Sequence, residues 1–435
     1  MISHAPAARE LAATASPAPT PGPTLALPPS PGLLSAPLWR REPYRILFPL
    51  GALLSWAAVS HWLLLALRVT DTYLSIFHAM TQVQGFLTCY AVGFLFTFIP
   101  RRTGTSPPGF WQMAVAIAAP VLTSALAFTE HWAASQLPWI ILLLTVVGFA
   151  VRRARSGGGA RRGAPSFIWV PLTLVIALFA TLLTGAAAAG PELMWLHDLG
   201  RSVVLQGTFT GLALGIGSML IPAITRGEPP RELRPSEVRR SRAGHVVAAA
   251  LFFAAFWVEA RLSVRAGFAL RAASSAAVLW FAARAWRRPT LPGLHRWLVL
   301  IAVWCIPIGN ALVAAFPDYR QAGLHVLFIG GFALLTLTVS AHVALTHGGR
   351  AELLRGRPWP AVAMVGLLAL ALAGRVLVVV DQTRFYLWLG IAASAFLAAT
   401  VAWTMLFIRG MTRITHPVAE AMSTAAPPTR FQVPR

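Results

Sequence analysis

The chain has 435 residues, 57% of them from the set AVILMFWYC and only 11% charged. Soluble domains run near half apolar and a quarter charged, so this composition, with a mean hydropathy of +0.65, excludes an ordinary water-soluble enzyme. The formal charge is +22, from 36 basic and 14 acidic residues, and every basic residue is Arg. These Arg residues sit in short clusters between long apolar runs rather than on one solvated face. That is the pattern of loops lying against anionic lipid, and it excludes nucleic acid as the partner.

Residues 1–38 carry nine Pro and many Ala and read as a disordered tail without the charged start and apolar centre of a cleavable signal peptide. A bilayer core of roughly 30 Å needs about 20 mostly apolar residues per helix. Twelve runs qualify: 46–67, 76–99, 110–128, 137–151, 167–188, 202–224, 244–260, 266–285, 297–316, 324–346, 358–380 and 385–408. The fourth and seventh are short. The expected organisation is a tail at 1–38, a twelve-helix transmembrane domain at 39–410 and a second disordered tail at 411–435. The predicted fold class is therefore all-α, a polytopic membrane protein.

Loop charge sets the orientation. With twelve spans, one set of alternating loops and tails holds 28 Arg and the other holds 6, while Arg271 and Arg375 fall inside spans. One missed span would swap every later loop, so the asymmetry predicts an even count with both termini cytoplasmic, in a bacterial inner membrane. The two cysteines, Cys89 and Cys305, lie in apolar runs, with no disulfide framework, CxxC or zinc spacing.

The second, sixth and tenth spans end in GFLFTFIPRRTG (93–104), ALGIGSMLIPAITRG (213–227) and LTVSAHVALTHGGR (337–350). Ile99, Ile221 and Val343 follow one another at 122-residue intervals, as three units of four helices would give, although the third copy lacks the Pro. Gly207, Gly211 and Gly215 recur every fourth residue on the sixth span, a pattern that lets helices approach closely.

Ionisable groups inside a membrane are candidates for function. The second and tenth spans both run inward, so His78 and His325 lie at the same depth near the outer surface, with His61 and His197 at a similar level. His342, His347, His245 and His295 lie at the cytoplasmic end. Imidazole is a common ligand of metals and of haem iron, so His78 and His325 could clamp a haem or bind copper; the alternative is that each snorkels to interfacial water or bonds a carbonyl. Met80 offers a thioether suited to copper(I) or haem iron. In a regular helix, however, residues two apart point about 200° from each other, so His78 and Met80 share one centre only if the helix opens there. His347 follows His325 by 22 residues, roughly 33 Å along a helix, which puts the two in separate sites. His342 and His347 could together form a cytoplasmic proton or metal site, or simply be solvated. Arg271 and Arg375 are expected to pair with Glu259 or Asp381, or to hold a haem propionate.

At these motifs the sequence resembles the NnrS family, bacterial twelve-helix membrane proteins described as containing haem and copper and linked to the nitric oxide response. The likeness spans about 40–410 and is strongest in HAMTQVQGFLTCYAVGFLFTFIPRRTG (78–104), GSMLIPAITRG (217–227) and HVLFIGGFALLTLTVSAHVALTHGGR (325–350). The family carries WHxHEMxxGF, GGRVIPxFT and HALTVGAxGxMxLxVMxRxxLGHTGR. His78 takes the first His, His325 the His of the HALTVG segment and His347 the His of GHTGR. Met80 stands where the family has its second His, Thr81 where it has Glu, Phe77 where it has Trp and His342 where it has Arg; Ser218 and Met219 replace the Gly-Arg before VIP.

The resemblance implies a haem/copper protein of the inner membrane, with haem b or copper held by His78, His325 and His347, serving nitric oxide response or protection; His342, outside the family pattern, is a candidate metal ligand from its place near His347. Its partners would be the bilayer, nitric oxide, and a respiratory-chain protein or a second copy. By architecture alone, the threefold plan with outer-half His on the second and tenth helices also resembles haem–copper oxidase subunits. The seventh span lacks the paired His of a copper centre there, which argues against oxygen reduction. Two rival readings fit the topology: a secondary transporter, disfavoured because no Asp or Glu lies in the middle of a span, and a metal-depleted structural or assembly partner of a respiratory complex, to which the substitutions at Met80 and Thr81 point.

Overall fold

The computed structural model describes residues 35–156, 164–185, 190–229 and 233–411, with no strand among them. Of the tails expected at 1–38 and 411–435, only residues 35–38 and Met411 are described: Leu38 opens a helical turn at Leu38–Arg41 and Met411 closes the last helix. Eleven helices among the described residues are long and apolar enough to cross a membrane. We number the long helices α1 Tyr44–Ala66, α2 Ser75–Thr103, α3 Phe110–Phe128, α4 Trp132–Ser156, α5 Pro165–Leu183, α6 Pro191–Arg226 and α7 Pro235–Arg261. They continue with α8 at 264–282, α9 Leu294–Ala315, α10 Pro317–His347, α11 Trp359–Val380 and α12 Gln382–Met411. Each of the twelve predicted runs falls on one of these helices within the described residues. Only α8, which carries Arg265 and Arg271, is not among the eleven.

Three apolar cores divide the bundle by unit. One is built chiefly from α2 to α5, with Phe96, Trp139 and Phe149 at its centre. A second is built from α5 to α9 around Trp169, Phe252 and Phe256. The third joins α9 to α12 with α1 and the start of α2 around Phe86, Phe332 and Trp403.

The same local plan recurs on α2, α6 and α10. Each widens into a π-helical stretch, at Thr81–Leu87, Val203–Gly207 and Val326–Ala333, starting 122 and then 123 residues apart. Each is followed by a left-handed glycine at its exit, Gly104, Gly227 and Gly349, a conformation that an added Cβ would strain. Threonine helps to open the first two π stretches: Thr88 and Thr208, the residues just after them, donate their hydroxyls to carbonyls five residues back, Val83 at 2.8 Å and Val203 at 3.4 Å.

Glycines on α6 set its distance from neighbours. A Cβ on Gly215 would lie 2.7 Å from Trp169 Cβ, and one on Gly207 would lie 3.3 Å from the Phe253 and Phe256 rings. The every-fourth-residue pattern is thus a packing device, as expected.

Arginines stitch one end of the bundle. Arg153 donates to Ser106 O and Pro107 O, and Arg40 to Pro108 O at 2.7 Å. Arg45 reaches Met411 O at 3.1 Å, which brings the start of α1 against the end of α12. Buried Glu42 gathers Arg45, Arg101 and the Tyr44 hydroxyl.

Candidate functional site: a histidine-lined chamber between α2 and α10

His78 and His325 each sit just ahead of a π stretch, at Thr81–Leu87 and Val326–Ala333. Between them lies a cavity of about 220 Å³, walled by side chains of α1, α2, α6, α10, α11 and α12. One water requires roughly 10–15 Å³ by the same measure, so the chamber takes a much larger guest. His78, His325 and Arg375 line it, with Trp62, Tyr73, Phe86, Phe328 and Phe396 supplying aromatic wall.

The polar groups of this chamber are positioned from behind. The His325 Nδ1–H donates to the carbonyl of Gln321 at 2.7 Å. That leaves Nε2 as the lone-pair nitrogen, and it accepts from Arg375 Nε at 3.1 Å. His78 holds the Ala58 carbonyl through Nδ1 at 3.2 Å and meets the Trp62 ring edge-on at 5.5 Å. Gln82 Nε2 donates to Ser55 O at 3.1 Å. Trp62, only 6% exposed, keeps a buried indole N–H with no hydrogen-bond partner. In a low-dielectric wall such a donor is costly unless a guest accepts from it.

The remaining predicted site residues are elsewhere. Met80 packs with Phe77, Ala58 and Ala127 and does not line the chamber, as the regular helix Ser75–Met80 requires of a residue two positions from His78. Arg271 is fully buried and forms the expected pair with Glu259, plus a 3.0 Å bond to Gln206 Oε1, with Phe256 and Phe268 against its guanidinium. Arg375 departs from the expected acidic pairing. Asp381 instead accepts from Thr383 Oγ1 and from Trp388 Nε1 at 2.9 Å, bonds that hold its carboxyl below the ordinary carboxylate range. His347 lies at the far end of α10, where Arg101 Nη1 meets its Nε2 at 3.2 Å and Tyr44 meets it edge-on at 5.5 Å. His342 stacks on His295 of α9, with ring centroids 5.3 Å apart.

No group of three or more His, Cys, Asp or Glu placed to hold a metal ion occurs among the described residues. The chamber's donor set does fit a flat macrocyclic metal complex. Were such a group bound, His78 and His325 would supply imidazole nitrogens, Arg375 would meet a carboxylate and the aromatic walls would line its faces.

Sequence reading missed Trp62 and the π stretches. A signal for the latter was present: Gln84-Gly85 and Gln206-Gly207 repeat at 122 residues, and Gly330 follows 123 later.

No curated protein matches this chain. The family model described as NnrS protein matches residues 37–414, a stretch that includes every residue lining the chamber. The chain belongs to the NnrS family.

Proposed function

We propose that the protein is a haem-binding member of the NnrS family in the bacterial inner membrane, acting in the response to, or protection from, nitric oxide. The observation that carries this reading is the meeting of His78, His325 and Arg375 on one apolar chamber. Haem bound there supplies one-electron redox chemistry and affinity for nitric oxide.

The chain's own residues do the positioning. The Gln321 carbonyl fixes the His325 tautomer so that Nε2 carries the lone pair, which Arg375 Nε holds and would have to release to a metal, and the Ala58 carbonyl orients the His78 ring. Arg375 keeps Nη donors beyond the Nε bond to His325, which suit a carboxylate in bidentate geometry. The aromatic walls exclude water and admit an apolar gas. Met80 lies outside the chamber, so copper there would have two imidazole donors and no thioether from that residue.

The test is an optical spectrum of protein purified from haem-replete cells, with His78→Ala alongside. A haem spectrum that changes in His78→Ala supports the reading; a colourless wild-type preparation overturns it.

A further inference from the structure

We propose that a second cavity, where α2, α6 and α10 meet, takes up a small neutral gas molecule and passes it to the chamber. It measures about 110 Å³. Its walls follow the repeat. Positions 90, 91, 94 and 95 of α2 line it, and so do those 122 residues on in α6 and 123 beyond these in α10. Four matching positions from each of three helices put the space between the three repeated units. Small residues keep it open. Ala91 and Ala213 match Thr336 in the repeat, and Gly217 stands where α2 has Leu95 and α10 has Ser340. A Cβ on Gly217 would meet nothing but the end of the Ile221 side chain, at 3.2 Å.

The walls select the guest. Tyr90 Oη and Thr336 Oγ1 are buried with no hydrogen-bond partner, on residues 3% and 6% exposed. The Ser340 hydroxyl is already used, donating to Leu337 O and accepting from Trp403 Nε1. Among the described residues the other lining side chains are hydrocarbon. One water serving the two open hydroxyls takes roughly 10–15 Å³, and a water needs about two to four polar partners, so the rest of the space stays dry. A dry cavity of about 150 Å³ lined by Leu, Ile and Phe takes benzene or xenon, and this smaller one suits a gas molecule. No charged side chain lines it, which excludes an ion.

The way to the chamber is apolar as well. A void of about 30 Å³ lies between the two spaces. Val83 is in the wall of both the void and the chamber, while Ala91, Leu95, Phe209 and Leu212 are in the walls of both the void and the second cavity. Side-chain motion at Val83 and Phe209 joins the three. Uptake stands on the cavity alone, and transfer rests on haem being bound in the chamber.

Crystals of the full-length protein under xenon pressure, read by anomalous scattering, test the uptake. Xenon is expected beside Tyr90, Ala213 and Thr336 in wild type and in His78→Ala, and is expected to be lost in Gly217→Leu, whose side chain fills the space. Should Gly217→Leu not fold, Ala213→Leu fills it from one turn earlier on α6. Absence of xenon from the cavity in wild type, or ordered water throughout it, overturns the proposal. Transfer is read by flash photolysis of the carbon monoxide complex of the haem-loaded protein. A delayed recombination phase that is lost both under xenon pressure and in the filled variant supports it; identical recombination in all three overturns it. A colourless protein that still takes xenon here overturns the haem reading and the transfer with it, and supports the uptake.

Discussion

Two polar clusters lie within a few residues of each other on α10, and they use their charges in opposite ways. Around Arg320, the Glu259 carboxylate takes Arg271 on one oxygen and Arg320 on the other, while Gln206 takes a further Arg271 nitrogen. Most of the charge there is paired, although Gln206, Glu259 and Arg320 also line a cavity, of about 580 Å³, and Arg271 Nε has no hydrogen-bond partner. Around His325, the imidazole is braced by a carbonyl, and Arg375, His78 and the Trp62 N–H are gathered around a shared cavity. Burial and polarity alone do not mark a binding site in this bundle. What separates the two is charge pairing: Glu259 spends both carboxylate oxygens on arginines, whereas the chamber wall holds imidazoles, a guanidinium without an acidic partner and an unpartnered Trp62 N–H.

Breaking the closed cluster should cost most. In Glu259→Gln the fully buried Arg271 loses its counter-charge, a loss of about 3–5 kcal/mol, read as a lower unfolding temperature in detergent. Glu259→Gln/Arg271→Met should recover much of it, because the stranded charge is gone. Gly215→Ala presses a methyl onto Trp169 and should cost about 1–3 kcal/mol by overpacking, leaving the chamber's spectrum unchanged. At the open cluster the signs reverse. His325→Ala removes two hydrogen bonds, one to the Gln321 carbonyl and one from Arg375, each worth about 0.5–1.5 kcal/mol, so stability should fall by less than at Glu259 while the haem spectrum is lost. Met80→Leu should cost under about 1.5 kcal/mol and leave the spectrum as in wild type, since that side chain faces Phe77 and Ala127. A loss of haem in Met80→Leu, or a large fall in stability in His325→Ala, would erase the distinction between the two clusters.

Much of this was legible in the sequence, because a membrane helix declares itself by length and apolarity. The short fourth and seventh runs belong to the full helices α4 and α7, whose polar ends hid their length. Helix α6 begins 11 residues before its predicted start at 202, since its first turns carry His197, Asp198 and Arg201. Equal expected depth on the second and tenth spans was enough to place His78 and His325 on one cavity. Depth says nothing about helix rotation, which is why Arg375 was assigned an acidic partner and is found on His325. The link between His342 and His347 was drawn from nearness in sequence. Residues five apart on a helix diverge by about 140°, and His342 instead meets His295 of the adjacent helix. The π stretches left only a repeated Gln-Gly as their trace.

The most direct test of the chamber is electron paramagnetic resonance of the oxidised protein, in wild type and in His78→Ala and His325→Ala separately. If both imidazoles grip one haem, wild type shows a low-spin ferric signal that disappears in each single variant. A low-spin signal that survives unchanged in either one would show that the two rings do not share a centre.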